Sequence, residues 1–97
     1  MKSISVIIPV YNEVESLRKL HNELSSVLTG NNNYELLFID DGSSDGSIEL
    51  LNELANTDDH IKVIQFYRNY GKAAALAEGF KMSTGAYVVT MDADLQD

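Results

Sequence analysis

A chain of 97 residues with a formal charge of −8 holds one domain or part of one, and its acidity excludes the basic surface that non-specific nucleic-acid binding or a polybasic membrane patch requires. A composition 44% hydrophobic and 23% charged excludes a disordered tail. The lack of cysteine excludes a disulfide framework and a thiolate metal site, and no apolar run approaches the roughly 20 residues of a membrane span.

The first run, Ile4-Ser5-Val6-Ile7-Ile8, is short, β-branched and nearly continuous in apolar character, as a strand covered on both faces requires. Ser5 and Pro9 interrupt the run from Ile4 to Val10 and no small-residue cleavage site follows, so no signal peptide is expected. Asn12 offers an N-cap with Glu15 three residues on, a capping-box pattern. Val14, Leu17, Leu20, Leu24, Val27 and Leu28 follow at helical spacing until Gly30 and three asparagines end the helix. A second strand is expected over 35–39, a turn rich in capping residues over 41–46, and a second helix whose apolar face is Ile48, Leu51, Leu54 and Ala55. A third strand covers 61–66. The polar loop 68–72 leads into a third helix from Ala73, with Gly85 as its expected stop, and 87–91 is the fourth strand.

Strict alternation of strand and helix predicts an α/β fold: a Rossmann-like parallel sheet of four strands with three helices on both faces. In such sheets ligands bind beyond the carboxyl ends of the strands, and polar groups gather there after every strand. Asn12 and Glu13 follow the first, Asp40 and Asp41 the second, Arg68 and Lys72 the third, Asp92 and Asp94 the fourth. Tyr11 beside Glu13 suits a nucleobase, by stacking on one side and hydrogen bonding on the other; the same segment also reads as a helix cap. Asp40 and Asp41 point to opposite sides of their strand, so one can face a pocket while the other holds the turn. Arg68 and Lys72 flank Gly71 before a helix N-terminus, a setting for a diphosphate whose spacing is not that of a Walker loop. Two carboxylates one residue apart at a buried strand end, Asp92 and Asp94, repel each other. They are most easily kept by a hard cation, Mg²⁺ or Mn²⁺, bridging them to an anion, with Gln96 as a further oxygen ligand. His21 and His60 have no partner pattern and are expected at surface or boundary positions.

Together these four segments resemble the inverting family-two glycosyltransferases, whose nucleotide-sugar fold is called GT-A. Val6-Ile7-Ile8-Pro9-Val10-Tyr11-Asn12-Glu13 is similar to the family's opening strand and turn, and Asp40-Asp41-Gly42-Ser43-Ser44-Asp45 to its acidic turn. Arg68-Asn69-Tyr70-Gly71-Lys72 is similar to the basic loop and Asp92-Ala93-Asp94 to the metal motif. The ending Leu95-Gln96-Asp97 resembles the polyprenyl-phosphate branch, with dolichol-phosphate mannose synthase and the bactoprenol glucosyltransferases. The resemblance implies that Pro9, Tyr11, Glu13 and Asp41 hold the nucleoside and that Lys72 and Asp92 complete the pocket. Asn12, Asp40, Arg68 and Ala93 are expected in the same nucleotide-sugar-binding set. Asp94, with Asp92 and Gln96, would ligate the metal.

The implied reaction is sugar transfer from a UDP- or GDP-sugar, with inversion, to a lipid phosphate or glycan acceptor. The implied setting is the cytoplasm or the cytoplasmic face of a membrane. The family's acceptor site and general base lie downstream of the metal motif. Residues 1–97 are therefore expected to be the donor-binding half, truncated after that motif, with no catalytic residue of their own. Such a half should expose the fourth strand as a sheet edge and self-associate through it. A phospho-accepting receiver domain would place its acid pair after the first strand and a lysine after a fifth. A nucleotidyltransferase would place a glycine-rich basic loop after the first strand. This chain does neither.

Overall fold

The computed structural model describes residues 3–31 and 33–94. The elements run β1 (Ile4–Val10), α1 (Val14–Val27), β2 (Tyr34–Asp41), α2 (Ser47–Thr57), β3 (Ile61–Phe66), α3 (Lys72–Met82) and β4 (Tyr87–Thr90). All pairings are parallel and the strand order is β3-β2-β1-β4. The expected α/β architecture is therefore present. The chain steps outward from β1 to β3, then returns to the other side of β1. Right-handed crossovers then place α1 and α2 on one face and α3 on the other.

Alternation along β1 and β2 divides the core accordingly. Val6, Ile8 and Val10 with Leu36 and Phe38 pack beneath Leu17 and Leu20 of α1 and Leu51 and Leu54 of α2. Ile7, Leu37 and Ile39 meet Ala75 of α3 on the reverse face. Ile7, Ile8, Phe38, Ile39, Leu17 and Leu51 are completely buried, each worth about 1.5–3 kcal/mol relative to exposure. This double coverage explains why β1 and β2 read as continuous apolar runs.

Two local expectations are corrected. Asn12 does not cap α1: the N-cap is Glu13, with no side-chain cap of its own, and Asn12 adopts a left-handed φ of 53°. The reason is tertiary, because groups from the following turn reach α1 first. Gly85 does not stop α3, which ends at Met82 with Ser83 as its C-cap. Gly85 instead lies against β1, where its N–H donates to Ser5 Oγ at 2.8 Å and a Cβ would stand 2.7 Å from the Ser5 backbone nitrogen.

Buried polar groups hold the sheet's lower end. Glu35 accepts from Ser5 Oγ (2.6 Å), Thr84 N–H (2.8 Å) and Thr84 Oγ1 (3.0 Å), which ties the α3–β4 connection to the middle of the sheet. Asp58 joins His21 (2.7 Å) to His60 (2.9 Å), and His60 stacks on Tyr34 with centroids 3.9 Å apart. Both histidines thus occupy boundary positions, with a shared partner that the sequence did not show. Burial alone would raise these two acids. For Glu35 the hydrogen bonds from Ser5 and Thr84 and the charge of Lys62 outweigh it, and for Asp58 those from His21 and His60, so both sit below their ordinary values. A depressed carboxyl contributes stability above its unfolded pKa and loses it as pH falls through the folded one. We therefore expect stability from these sites to be complete near neutrality and to drain away below about pH 4.5, the ordinary carboxylate range. Acid titration followed by circular dichroism should show a shallower acid limb for Asp58→Asn and Glu35→Gln. Superimposable acid limbs would refute the assignment.

Candidate functional site

The strand order reverses between β1 and β4, which makes their carboxyl ends the topological switch point, where open α/β sheets bind ligands. The separation of the two strands there has a chemical cause. Pairing between them ends at Ile7↔Thr90, with a last bond from Met91 N–H to the Ile7 carbonyl. The next β1 residue on that side is Pro9, which has no N–H to continue the ladder. Beyond it lies a cavity of about 520 Å³ lined by Pro9, Val10, Tyr11, Glu13, Asp41, Asn69, Gly71, Lys72, Asp92, Ala93 and Asp94.

Asp41 is the keystone of one wall. It ends β2 and is 3% exposed. Its Oδ1 accepts from Tyr70 N–H at 2.7 Å, and its Oδ2 accepts from Gly71 N–H and Asn69 Nδ2, each at 3.0 Å. These bonds hold the β3–α3 loop in a turn that delivers Lys72 as the first residue of α3. Gly71 precedes it as the N-cap at φ 105°, and with the Asp41 carboxylate on its N–H the positive end of the α3 dipole borders the cavity. Lys72 Nζ donates to Asp92 Oδ1 at 2.7 Å. That bond and the charges of Asp92 and Asp94 raise its pKa.

Glu13 stands across the cavity. Its carboxyl is raised first by burial, then by the negative charges of Asp94, Asp45 and Asp92. The acids at the two strand ends therefore feel one another, and an added cation would relieve that repulsion. Among the described residues no three His, Cys, Asp or Glu groups converge as a metal cage. Two carboxylates at an open cavity instead suit a hard cation that draws its remaining oxygens from phosphate and water. Gln96 lies outside the described residues.

Three expected residues are not in the lining. Asp40 is completely buried, and its Oδ2 accepts from Ser43 N–H at 3.2 Å, so it holds the β2–α2 turn from within. Adjacent residues of a strand point to opposite faces, and Asp41 is the one that faces the cavity. Asn12 Oδ1 accepts from Ser44 N–H at 2.8 Å, which braces the β1–α1 turn. Arg68 lies over the Tyr70 ring, 5.3 Å from its centroid, and Nε donates to Tyr70 Oη at 3.3 Å. Conversely Val10, Asn69 and Gly71 line the cavity, though residue type and spacing do not mark them as binding residues. Asn69 lies inside the basic loop, and its pairing with Asp41, 28 residues away, is visible only in the fold.

Comparison with known proteins gives a consistent picture. The profile of Glycosyl transferase family 2 matches residues 5–97. An undecaprenyl-phosphate 4-deoxy-4-formamido-L-arabinose transferase of Proteus mirabilis is 46% identical over 99 residues, covering 100% of this chain and 30% of that protein. The Yersinia pestis protein of the same description is 46% identical over 101 residues, with the same coverage. The chain thus spans about a third of the length of these relatives. Among solved structures, the mannosyltransferase PcManGT from Pyrobaculum calidifontis, in complex with GDP-Man and Mn²⁺, superposes with a TM-score of 0.88 at 26% identity, covering 96% of this chain and 28% of that one. S. aureus TarS 1-349 in complex with UDP gives 0.84 at 27% identity, covering 95% and 27%.

Proposed function

The chain belongs to glycosyl transferase family 2, and from that premise we propose that its cavity receives the nucleotide of a UDP- or GDP-sugar whose sugar passes to an acceptor with inversion. The observation that carries this reading is the meeting of Tyr11, Glu13, Asp41, Lys72, Asp92 and Asp94 on one cavity at the switch point. Tyr11, half exposed at the rim, and Glu13 offer a ring and a carboxylate to a nucleoside, with Pro9 and the buried Asp41 behind them. Lys72, at the start of α3, offers positive charge to a diphosphate. Asp92 and Asp94 would hold Mg²⁺ or Mn²⁺, with Gln96 as a further ligand. Bound there, the cation would neutralise negative charge on the departing diphosphate. One structural neighbour is in complex with GDP-Man and Mn²⁺ and another with UDP, which supports a nucleotide and a divalent cation as the ligands.

The acceptor reading rests on the relatives named as acting on undecaprenyl phosphate. A lipid phosphate is already an anion, so its attack needs no strong base. Such an acceptor would place the whole protein at the cytoplasmic face of a membrane. Among the described residues no helix is long and apolar enough to cross one. Residues 1–97 would then be the donor half, able to bind nucleotide without turnover. Sugar transfer by the purified 97 residues would overturn that part.

A thermal scan tests the binding. At a hundredfold excess over Kd, a ligand specific to the native state adds about 2.7 kcal/mol, so UDP or GDP with Mn²⁺ should raise Tm by several degrees. Asp94→Asn should lose most of the part of the shift that depends on Mn²⁺. No shift with either nucleotide, in a folded sample, would defeat the reading.

We also expect self-association through β4. Tyr87, Val88 and Val89 are each more than a third exposed, and among the described strands β4 forms one edge of the sheet. The opposite edge, β3, carries the exposed charge of Lys62. An uncharged apolar edge is the one prone to pairing. Sedimentation should show mass rising with concentration, and Val89→Lys should return the chain to a monomer. A wild-type monomer at every concentration would count against the expectation.

A further inference from the structure

The β1–α1 turn, which carries Tyr11 and Glu13, has no capping group of its own. Its backbone donors are satisfied from the β2–α2 turn, more than thirty residues later. Asn12 N–H donates to Ser43 Oγ at 2.9 Å, Glu13 N–H to Ser47 Oγ at 3.1 Å, and Val14 N–H to Asp45 Oδ2 at 3.1 Å. The start of α2 is equally bare, with Gly46 as its N-cap. It too is served by Asp45, whose Oδ1 accepts from Ser47 N–H at 3.0 Å and Ser47 Oγ at 2.6 Å. Ser47 is completely buried, and its hydroxyl passes the restraint on to Glu13.

We infer that Asp45 is a positioning residue: by holding the N-termini of α1 and α2 with its two oxygens, it fixes where Tyr11 and Glu13 stand in the cavity. Both ends are positive poles of helix dipoles, so a carboxylate suits the junction better than a neutral group. Each cap is of the kind whose loss loosens a helix start. Asp45 itself lies outside the cavity lining; it acts on a ligand through the turn and through its charge on Glu13. The ligand arm of the test rests on the nucleotide reading above; the arm that follows the turn does not.

Three measurements on Asp45→Ala, with Asp45→Asn beside it, separate positioning from general damage. Affinity for UDP and GDP in EDTA should fall about tenfold in Asp45→Ala. Affinity for Mn²⁺ alone, read by electron paramagnetic resonance, should stay within about twofold, because Asp92 and Asp94 follow β4 rather than the turn that Asp45 holds. Amide hydrogen exchange should quicken at Glu13 and Val14 and stay unchanged in α3. Asp45→Asn keeps one strong acceptor and should fall between wild type and alanine; if the alanine variant does not fold, asparagine carries all three measurements. Wild-type nucleotide affinity in the variants, or equal loss of nucleotide and Mn²⁺, or unchanged exchange at Glu13 and Val14, would overturn the inference. If the wild-type chain binds neither nucleotide, the cavity reading fails, and exchange at Glu13 and Val14 alone decides the role of Asp45.

Discussion

Gly42→Ala is expected to destabilise the protein by about 2–5 kcal/mol, combining a left-handed backbone penalty with overpacking, and to abolish stabilisation by nucleotide. Gly42 follows the two β2 acids at φ 77°, a conformation that costs a residue with a side chain about 1–2 kcal/mol. The space is also closed. A Cβ would lie 2.5 Å from Asn69 N and 2.8 Å from Arg68 Cα, with Arg68 C nearer still. All three are backbone atoms, so no side chain can swing aside. The β3–α3 loop would have to lift away, taking with it the residues that Asp41 holds and the approach to Lys72. Urea unfolding with an unchanged m-value should show the loss as a lower midpoint. Gly46→Ala is the internal control. Gly46 also has positive φ, at 96°, but its Cβ would meet only Val14 Cγ2 at 3.9 Å, so it should cost about 1–2 kcal/mol and leave the loop in place. Equal losses at the two glycines would show that the close approach at Gly42 contributes nothing.

Asp41→Ala should cost about 2 kcal/mol, at the rate of roughly 1 kcal/mol for each hydrogen-bond donor left without its acceptor. Tyr70 N–H and Gly71 N–H would lose their acceptor, whereas Asn69 Nδ2 keeps the Asp41 carbonyl, to which it also donates at 3.2 Å. Asp41→Asn presents one acceptor oxygen and a donor group where two oxygens stood, and should lose about half as much. The functional consequence is larger than the thermodynamic one. Without Asp41 the cavity loses both a lining residue and the anchor of the loop that starts α3. Nucleotide-dependent thermal stabilisation should therefore vanish in Asp41→Ala, even at temperatures where the variant remains folded. A variant that kept that stabilisation would show that the loop stands without its anchor.

The two acids show how far residue patterns alone reach. Their adjacency at the end of an apolar run was enough to say that they diverge, since a strand alternates its side chains. Which of them meets the cavity depends on which face α3 covers, and that follows from the reversal of strand order at β4. The capping box at Asn12 and Glu15 fails for a related reason. A local pattern states what a helix start would use in isolation, whereas Ser43, Asp45 and Ser47 reach it from a distant turn. Arg68 likewise has the right charge in the right loop, yet it lies over Tyr70. Glu35 left no trace in the pattern at all, because an acid at the start of an apolar run looks like a solvent-facing strand residue. Only the packing of Ser5 and Thr84 around it makes it internal.

By itself the sequence determined the period of its apolar residues, and with it the alternation of strand and helix, the parallel sheet and the edge to which the polar groups come. These depend on nearest neighbours along the chain, where spacing and stereochemistry suffice. The family resemblance, too, was carried by segments legible in the order of residues. Tertiary structure alone decided that β4 returns beside β1, that Pro9 lets the two strands part, and that the β2–α2 turn caps a helix thirty residues before it. Those outcomes are set by which groups reach a given donor first in three dimensions, a competition that no local spacing encodes.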